Sequence, residues 1–332
     1  MDSNANSIPY QLRQNKVIDR YAFVELLELI NRSSKISNYT YVGFGSHSLE
    51  DFKYLHYKFG ITKMISLEQD KETWKRQKFN KPVSCIECLN ESSGEFIQRF
   101  ERVNDTIVWL DYTSAKYLRN QLQEFQALLA TLYPNDIVKI TLNANPSALL
   151  NGDSRRTEEL RTLRFEKLKS TIGDFMSANV TSDLMIHKEY PKALFLILER
   201  AAKLSLSSLP IYFQPLTCFA YDDGQQMLSV TGILLEKGKE ADNTKNFLSA
   251  TGILDWKLSK IIWHDSPTAI NVPDLTIKER LFVDSLLPDH STEKIQEELG
   301  FLFSSKAQIS LKMLETYSLF YRQSPYFSRI IF

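Results

Sequence analysis

The chain has 332 residues, of which 43% are hydrophobic and 24% charged, so it is long enough for about two domains and apolar enough to bury a core. Lysine plus arginine equals aspartate plus glutamate at 40 each, which excludes an overall field that attracts nucleic acid or an anionic membrane. The three cysteines, the polar start and the lack of any long apolar run predict a cytoplasmic protein with no disulfide framework, membrane span or export signal.

Short β-rich runs alternate with helical stretches after Tyr39, the order expected for βα units on a parallel sheet. The five predicted strands are YTYVGF, TKMISLE, PVSCIECLN, TIVWLDY and DIVKITLNAN. Helices are predicted between them, and an apolar-faced helix over 17–31 precedes them. The pattern predicts a doubly wound α/β fold with a mostly parallel sheet.

The order of elements changes after the fifth strand. Helical spacing predicts an insertion over about 151–205, and a turn at Asp222 to Gly224 between two apolar runs then predicts an antiparallel hairpin. The remaining residues read as helices, one of them opened by a capping-box pair, Thr276 and Glu279. We therefore predict one α/β domain over 1–250 and a helical domain over 251–332 that recognises a substrate or partner.

The segment YVGFGSHS places Gly43 and Gly45 where the first strand turns into a helix, and ligands of parallel sheets bind at such strand ends. With the closing hairpin, this segment resembles the glycine motif of class I S-adenosylmethionine-dependent methyltransferases. The resemblance implies S-adenosylmethionine as cofactor, bound by Gly43, Phe44, Gly45 and Ser46. Tyr41 and His47 depart from the motif, where an acid and a third glycine are usual.

Acidic and amide residues follow the next two strands. Glu68 ends the second strand about 20 residues after the glycines, a spacing that suits recognition of ribose hydroxyls. The resemblance extends this cofactor site to Gln69, and to Glu87 and Asn90 on the third strand, which would face the adenine. The competing interpretation of Glu68 is a solvated carboxylate at a strand end.

The fourth strand ends in Asp111 and Tyr112, beside the glycine turn in the order that the family implies. There the resemblance implies catalytic roles, with Asp111 as proton acceptor and Tyr112 as a lining or stacking residue. The sequence DYT differs from the PPY motif of many amino-directed DNA methyltransferases, which disfavours direct methylation of a flipped base. A strand-end cap is the alternative role of Asp111.

Basic residues occur in two further places. Arg13 and Lys16 precede the first helix and are candidates for binding anionic groups of a substrate, or for a solvated helix start. Residues 154–169 carry a local net charge of about plus three, yet the interleaved acids favour a solvated face over a nucleic-acid site. The pair Cys85 and Cys88 has no second CxxC to complete a metal site, so no metal is predicted.

The sequence therefore predicts an O- or N-directed methyltransferase that uses S-adenosylmethionine, with an acceptor that the residues do not identify. Two alternatives stay open. One is a catalytically degenerate methyltransferase fold that serves as an interaction module, with a protein partner on the C-terminal domain. The other is nucleic-acid binding through the C-terminal helices, which the neutral charge does not favour.

Overall fold

The computed structural model describes residues 13–151 and 157–324. The chain divides into two compact units. Of the described residues, the larger unit comprises 24–151, 157–220 and 225–267, and the smaller unit comprises 13–23, 221–224 and 268–324.

The strands are β1 (Thr40–Gly43), β2 (Lys63–Leu67), β3 (Ile86–Leu89), β4 (Thr106–Asp111), β5 (Ile137–Asn143), β6 (Ile211–Asp222), β7 (Gln226–Glu236) and β8 (Thr268–Ile270). The helices of the first half are α1 (Gln14–Ile30), α2 (Glu50–Phe59), α3 (Lys71–Asn80), α4 (Ser93–Arg99) and α5 (Leu118–Thr131). The later helices are α6 (Thr157–Ile172), α7 (Tyr190–Leu206), α8 (Glu240–Thr251), α9 (Ile277–Leu286), α10 (Thr292–Leu299) and α11 (Ala307–Phe320).

The strands of the larger unit follow the order β3-β2-β1-β4-β5-β7-β6. The first five are parallel to one another, and β7 runs antiparallel to β5 with Ile137 opposite Ile233. This arrangement confirms the predicted mostly parallel sheet that ends in an antiparallel hairpin. Because the order reverses between β1 and β4, the carboxyl ends of β1, β2 and β4 meet at a topological switch point, which we call the carboxyl edge.

The main apolar core lies between one face of the sheet and the helices α5 and α7. Val108 and Leu110 of β4 and Val138 and Ile140 of β5 contribute from the sheet side. Helix α7 buries twelve of its residues, so this part of the predicted insertion belongs to the core of the larger unit.

The local signals for helix ends are confirmed where glycine or a capping pair marks them. Gly60 ends α2 in the left-handed conformation, and Thr276 and Glu279 form the capping box of α9. Strand β3 begins at Ile86, later than the predicted PVSCIECLN run, because residues 82–85 form bends and turns. Helix α8 was not predicted from the sequence, and it packs on β7.

The smaller unit contains the helices α9, α10 and α11, which confirms that the C-terminal region is helical. Tyr317 of α11 donates a hydrogen bond to Asp284 of α9 over 2.7 Å. The start of α1 belongs to this unit too, together with the tip of the β6–β7 hairpin.

Candidate functional site

The turn between β1 and α2 is conformationally strained. Ser46 and Leu49 both have positive φ angles, 46° and 54°, in a region that residues with side chains rarely adopt. Such strain persists only where the surroundings enforce it, and it clusters at binding sites. The turn is therefore a rigid feature of the carboxyl edge.

Gly45 is required by packing against protein atoms. A Cβ built there would lie 2.2 Å from Leu49 Cδ2 and 2.5 Å from Ser66 Oγ, closer than real contacts allow. A Cβ at Gly43 would stand 2.8 Å from the Tyr41 hydroxyl. Gly45 lets α2 and the sheet approach each other, and Gly43 leaves room for the Tyr41 hydroxyl. Both reasons are separate from the cofactor approach that the glycine spacing predicts.

The two departures from the glycine motif have structural partners. Tyr41 is buried and its ring meets Phe52 of α2 edge-on, with centroids 4.8 Å apart. The carbonyl of His47 accepts a hydrogen bond from Asn80, the last residue of α3, over 2.8 Å. An aromatic contact and a backbone brace thus occupy the places of the expected acid and third glycine.

Glu68 and Asn90 come together at the ends of β2 and β3. The Asn90 side chain donates to the carbonyls of Glu68 and Gln69 over 2.8 and 3.2 Å, and the Asp70 amide donates to Glu68 Oε1 over 2.9 Å. Burial raises the pKa of the Glu68 carboxyl, and the Asp70 amide partly offsets this rise. The loop thereby holds a half-buried carboxylate in a fixed position.

The other two predicted cofactor residues of this region lie differently. Gln69 is exposed in the loop that Asn90 braces. Glu87 is exposed in the middle of β3, opposite Ile65. Since Glu87 precedes the strand end by two residues, it is farther from the carboxyl edge than Asn90 is.

Asp111 and Tyr112 point to opposite faces of the sheet, because successive side chains of a strand alternate. Tyr112 packs against the main apolar core, and its ring meets that of Phe44 edge-on at 5.6 Å. Asp111 is half-buried on the face that carries Trp109. The structure thus brings Tyr112 to the glycine turn and leaves Asp111 on the other side of β4.

A buried polar layer, not predicted from the sequence, occupies the face that carries Asp111. Lys139 and Thr141 of β5 are both fully buried there, opposite Trp109 and Asp111 respectively. The Lys139 ammonium donates to Ser229 over 2.6 Å and lies 4.8 Å from the centre of the Trp109 ring. The polar residues at alternate positions of KITLN are the only sequence signal for this layer.

Glu124 of α5 was also missed by the sequence analysis. Its carboxylate accepts hydrogen bonds from the Tyr112 hydroxyl and, over 2.6 Å, from the Ser93 hydroxyl. Burial first, and then the neighbouring Glu124, raise the pKa of Tyr112 above its ordinary value. The phenol therefore stays protonated, and its hydroxyl donates a hydrogen bond to Glu124.

Arg13 and Lys16 lie in the smaller unit. Arg13 comes just before α1, and Lys16 is on its first turn. Arg13 pairs with Asp223 at 3.2 Å, and the Lys16 ammonium is 3.9 Å from the same carboxylate. Asp223 belongs to the tip of the β6–β7 hairpin. A role of these two cations in substrate binding stays a prediction, and an acidic side chain already accompanies them.

The basic segment, residues 154–169, is only partly a surface patch. Arg155 and Arg156 lie outside the described residues. Arg164 is buried and donates to the carbonyls of Leu150 and Met185 over 3.0 and 3.2 Å. Because Arg164 is buried and bonded to backbone carbonyls, fewer cations of this segment are available to phosphates than its composition suggests.

A parallel sheet closed by an antiparallel hairpin, with a glycine turn after β1 and a carboxylate after β2, defines a class I methyltransferase-like protein. The chain belongs to the family described as "Putative O-methyltransferase", whose model matches residues 8–332. This membership confirms the predicted resemblance to methyltransferases.

Several solved structures share the general arrangement. Trm1 from Pyrococcus horikoshii, in complex with S-adenosyl-L-methionine, is 11% identical over 91% of this chain and 76% of its own, with a TM-score of 0.47. The N-methyltransferase NodS from Bradyrhizobium japonicum is 11% identical over 66% and 97%, with a TM-score of 0.36. A methyltransferase from Pyrococcus furiosus is 16% identical over 65% and 82%, also at 0.36.

No curated protein matches the sequence. Among the described residues, none of the helices combines the length and the apolar character that crossing a bilayer requires.

Proposed function

We propose that the protein transfers a methyl group from S-adenosylmethionine to a hydroxyl group of an acceptor, with the cofactor held at the carboxyl edge of the larger unit. The description of the family supports the choice of oxygen as the methylated atom. The observation that carries the proposal is the loop-braced carboxylate of Glu68 beside the strained turn after β1.

The residues at the carboxyl edge fit the chemistry of this cofactor. Glu68 offers a fixed carboxylate to the two ribose hydroxyls, since charge-assisted hydrogen bonds are stronger than neutral ones. Phe44 and Tyr112 offer aromatic surfaces, which attract a cationic group such as a sulfonium. Gly43, Gly45 and Ser46 shape the turn, and Gln69, Asn90 and Glu87 stay candidates for the nucleoside end.

The proposed chemistry needs little beyond positioning. When bound, S-adenosylmethionine would supply an electrophilic methyl group and leave as S-adenosylhomocysteine. The protein would hold the acceptor oxygen in line with that methyl group and take up the released proton. Asp111, at the end of β4, stays our candidate for the proton acceptor, and the acceptor oxygen would reach it from the face of β4 opposite Tyr112. Tyr112 is less suited to that step, because its hydroxyl is a donor to Glu124.

Calorimetric titration of S-adenosylmethionine and S-adenosylhomocysteine tests the cofactor site. We expect micromolar binding by the wild type and a loss of about 10- to 100-fold in Glu68→Ala, the range for a hydrogen bond to a charged group. Glu72→Ala is the matched control, because Glu72 is exposed on α3 and pairs only with Lys75 among the contacts described. An unaltered affinity in Glu68→Ala would remove Glu68 from the site.

The methylated atom needs a second measurement. Incubation with a labelled methyl donor and a metabolite extract, followed by mass spectrometry of the product, should place the label on oxygen. A label on nitrogen contradicts the hydroxyl-directed proposal. Acceptor recognition by the C-terminal helices, a protein partner there and a cytoplasmic location also stay predictions.

One observation favours a second candidate, a degenerate interaction module. The ring contact between Phe44 and Tyr112 and the filled space at Gly45 show protein atoms packed closely around the glycine turn. A folded wild type that binds neither compound would support this candidate over the enzyme.

A further inference from the structure

Glu124 joins two of the loops that follow the central strands. Its Oε2 atom accepts hydrogen bonds from Ser93, the first residue of α4, and from Tyr112, which follows β4. One carboxylate oxygen therefore ties the loop after β3 to the loop after β4. The carboxylate comes from α5, a helix whose other face is fixed by the core residues Leu122, Phe125 and Leu129.

The other oxygen of Glu124 lies against Gly94. A Cβ built on Gly94 would be 3.4 Å from Glu124 Oε1, which is ordinary contact distance. Oε1 of Glu124 therefore lies close to the first turn of α4, at a distance that would also admit an alanine at this position.

The chain of contacts continues from Glu124 to the glycine turn through the Tyr112 ring. The Tyr112 hydroxyl is bonded to Glu124, and the ring meets Phe44 edge-on at 5.6 Å. Because a tyrosine ring has only two rotatable bonds before it, one bond at the hydroxyl and one contact at the ring face fix its orientation. The orientation of the aromatic surface beside Phe44 therefore depends on Glu124.

We propose that Glu124 is a positioning residue that sets the affinity of the cofactor site by anchoring Tyr112 as a fixed wall of that site. The inference rests on the proposed function, since it assigns a role toward the cofactor. Glu124 acts through the Tyr112 hydroxyl and has no contact with the reacting atoms in this account.

Binding of S-adenosylhomocysteine, measured by calorimetry together with urea unfolding, tests this role. We expect Glu124→Ala to weaken binding about tenfold, because the hydrogen bond to a charged acceptor is lost. Glu124→Gln keeps an oxygen acceptor and should stay within about threefold of the wild type. Gln123→Ala, at an exposed neighbouring position of α5, is the control and should bind like the wild type.

Comparing the binding affinities of Tyr112→Phe, Glu124→Ala and the double variant distinguishes a positioning role of Glu124 from a general effect on stability. If Glu124 acts through the hydroxyl, Tyr112→Phe binds about as weakly as Glu124→Ala, and the double variant is no weaker than either single variant. Losses that multiply in the double variant would overturn the inference. Glu124→Ala that is less stable to urea yet binds with unchanged affinity would also overturn it, because the role would be structural.

The test also distinguishes the two levels of the hypothesis. A folded wild type that binds neither S-adenosylmethionine nor its demethylated product overturns the proposed function and the role of Glu124 with it. A wild type that binds, with Glu124→Ala binding equally well, overturns the role of Glu124 alone. If Glu124→Ala does not fold, Tyr112→Phe and Glu124→Gln still provide the comparison.

Discussion

At two positions of the larger unit, Gly45 and Tyr39, the surroundings leave little room for a change of a single atom. A Cβ at Gly45 would collide with side-chain atoms of Leu49 and Ser66. Tyr39, just before β1, is buried, and its hydroxyl donates a hydrogen bond to the Asn135 carbonyl. Changes at these two residues have consequences that can be calculated from their surroundings.

Gly45→Ala should lower the free energy of unfolding by about 1–3 kcal/mol, the usual cost of an extra carbon in a filled site. Leu49 Cδ2 at 2.2 Å would have to move, and Leu49 is itself buried in a strained conformation. Urea unfolding measures the effect. Gly94→Ala is the control, because its added carbon meets nothing closer than 3.4 Å, and equal losses in the two variants would contradict the packing argument.

Tyr39 gives a prediction about alkaline pH. Burial raises the pKa of Tyr39 to about 12, from 10.0 for an ordinary tyrosine. The unfolded chain loses this proton near pH 10 while the folded chain keeps it, so the stability that Tyr39 contributes is complete below about pH 10 and is lost as the pH rises through about 12. Between pH 10 and 12 the free energy of unfolding, measured with urea, should fall more in the wild type than in Tyr39→Phe, by at most about 2.7 kcal/mol. Parallel pH profiles would show that Tyr39 is not responsible.

At the scale of elements, the carboxylate of Asp136 connects the starts of β4 and β5. It accepts hydrogen bonds from the Thr106 and Tyr133 amides over 2.7 and 2.8 Å and from Arg102 over 2.7 Å. Burial is the largest influence on its pKa and raises it, although all three donors act in the opposite direction. The neighbouring strands β4 and β5 therefore share one buried anchor at their amino ends.

Asp136→Ala should destabilise the protein by about 3–5 kcal/mol, because it leaves the Thr106 and Tyr133 amides without their acceptor and removes the buried partner of Arg102. Asp105→Ala is a matched control, since Asp105 pairs with the same arginine but is 41% exposed, against 0% for Asp136. We expect less than about 1 kcal/mol for the control in urea unfolding. Comparable losses would mean that Arg102, rather than the buried carboxylate, is the important partner.

Elements with a local signal were predictable, and those that depend on distant contacts were not. The ends of α2 and α9 follow from Gly60 and from the Thr276 and Glu279 pair, because capping is decided within one turn. The burial of α7 depends on its packing against α5, some 70 residues earlier in the chain, and nothing in its own periodicity distinguishes a core helix from an inserted one.

The candidate site shows the same limit. The spacing of Gly43, Gly45 and Glu68 predicted the class of fold, since it reflects backbone geometry within one βαβ unit. Glu124 was not predictable, because its partners Ser93 and Tyr112 come from two other elements and are 31 and 12 residues away. Hydrogen bonds of this kind arise only when the helices are placed on the sheet.

At the scale of the whole molecule, the smaller unit is assembled from three separate stretches of chain. Within it, the start of α1 is linked to the hairpin tip by Asp223, which pairs with Arg13, and by the Asp222 carbonyl, which accepts from Asn15 over 3.2 Å. The C-terminal helices belong to the same unit.

Truncation after residue 267 should therefore increase amide hydrogen exchange at residues 14–20 and 221–224, because their unit loses its largest stretch. The strands β1, β4 and β5 should keep their slow exchange, since they belong to the larger unit. A chain that ends after residue 324 is the control. Unchanged exchange at residues 14–20 would show that the start of α1 is held independently of the C-terminal helices.

This assembly also constrains how the protein forms during translation. The start of α1 is synthesised before the hairpin tip, and the C-terminal helices follow both, so residues 13–23 wait for chain beyond residue 267 before their unit is complete. The larger unit can close sooner, since everything in it precedes residue 268. A pause or a premature stop late in the message would therefore release chains with a formed sheet and an unfinished second unit, which are natural targets for chaperones and proteases.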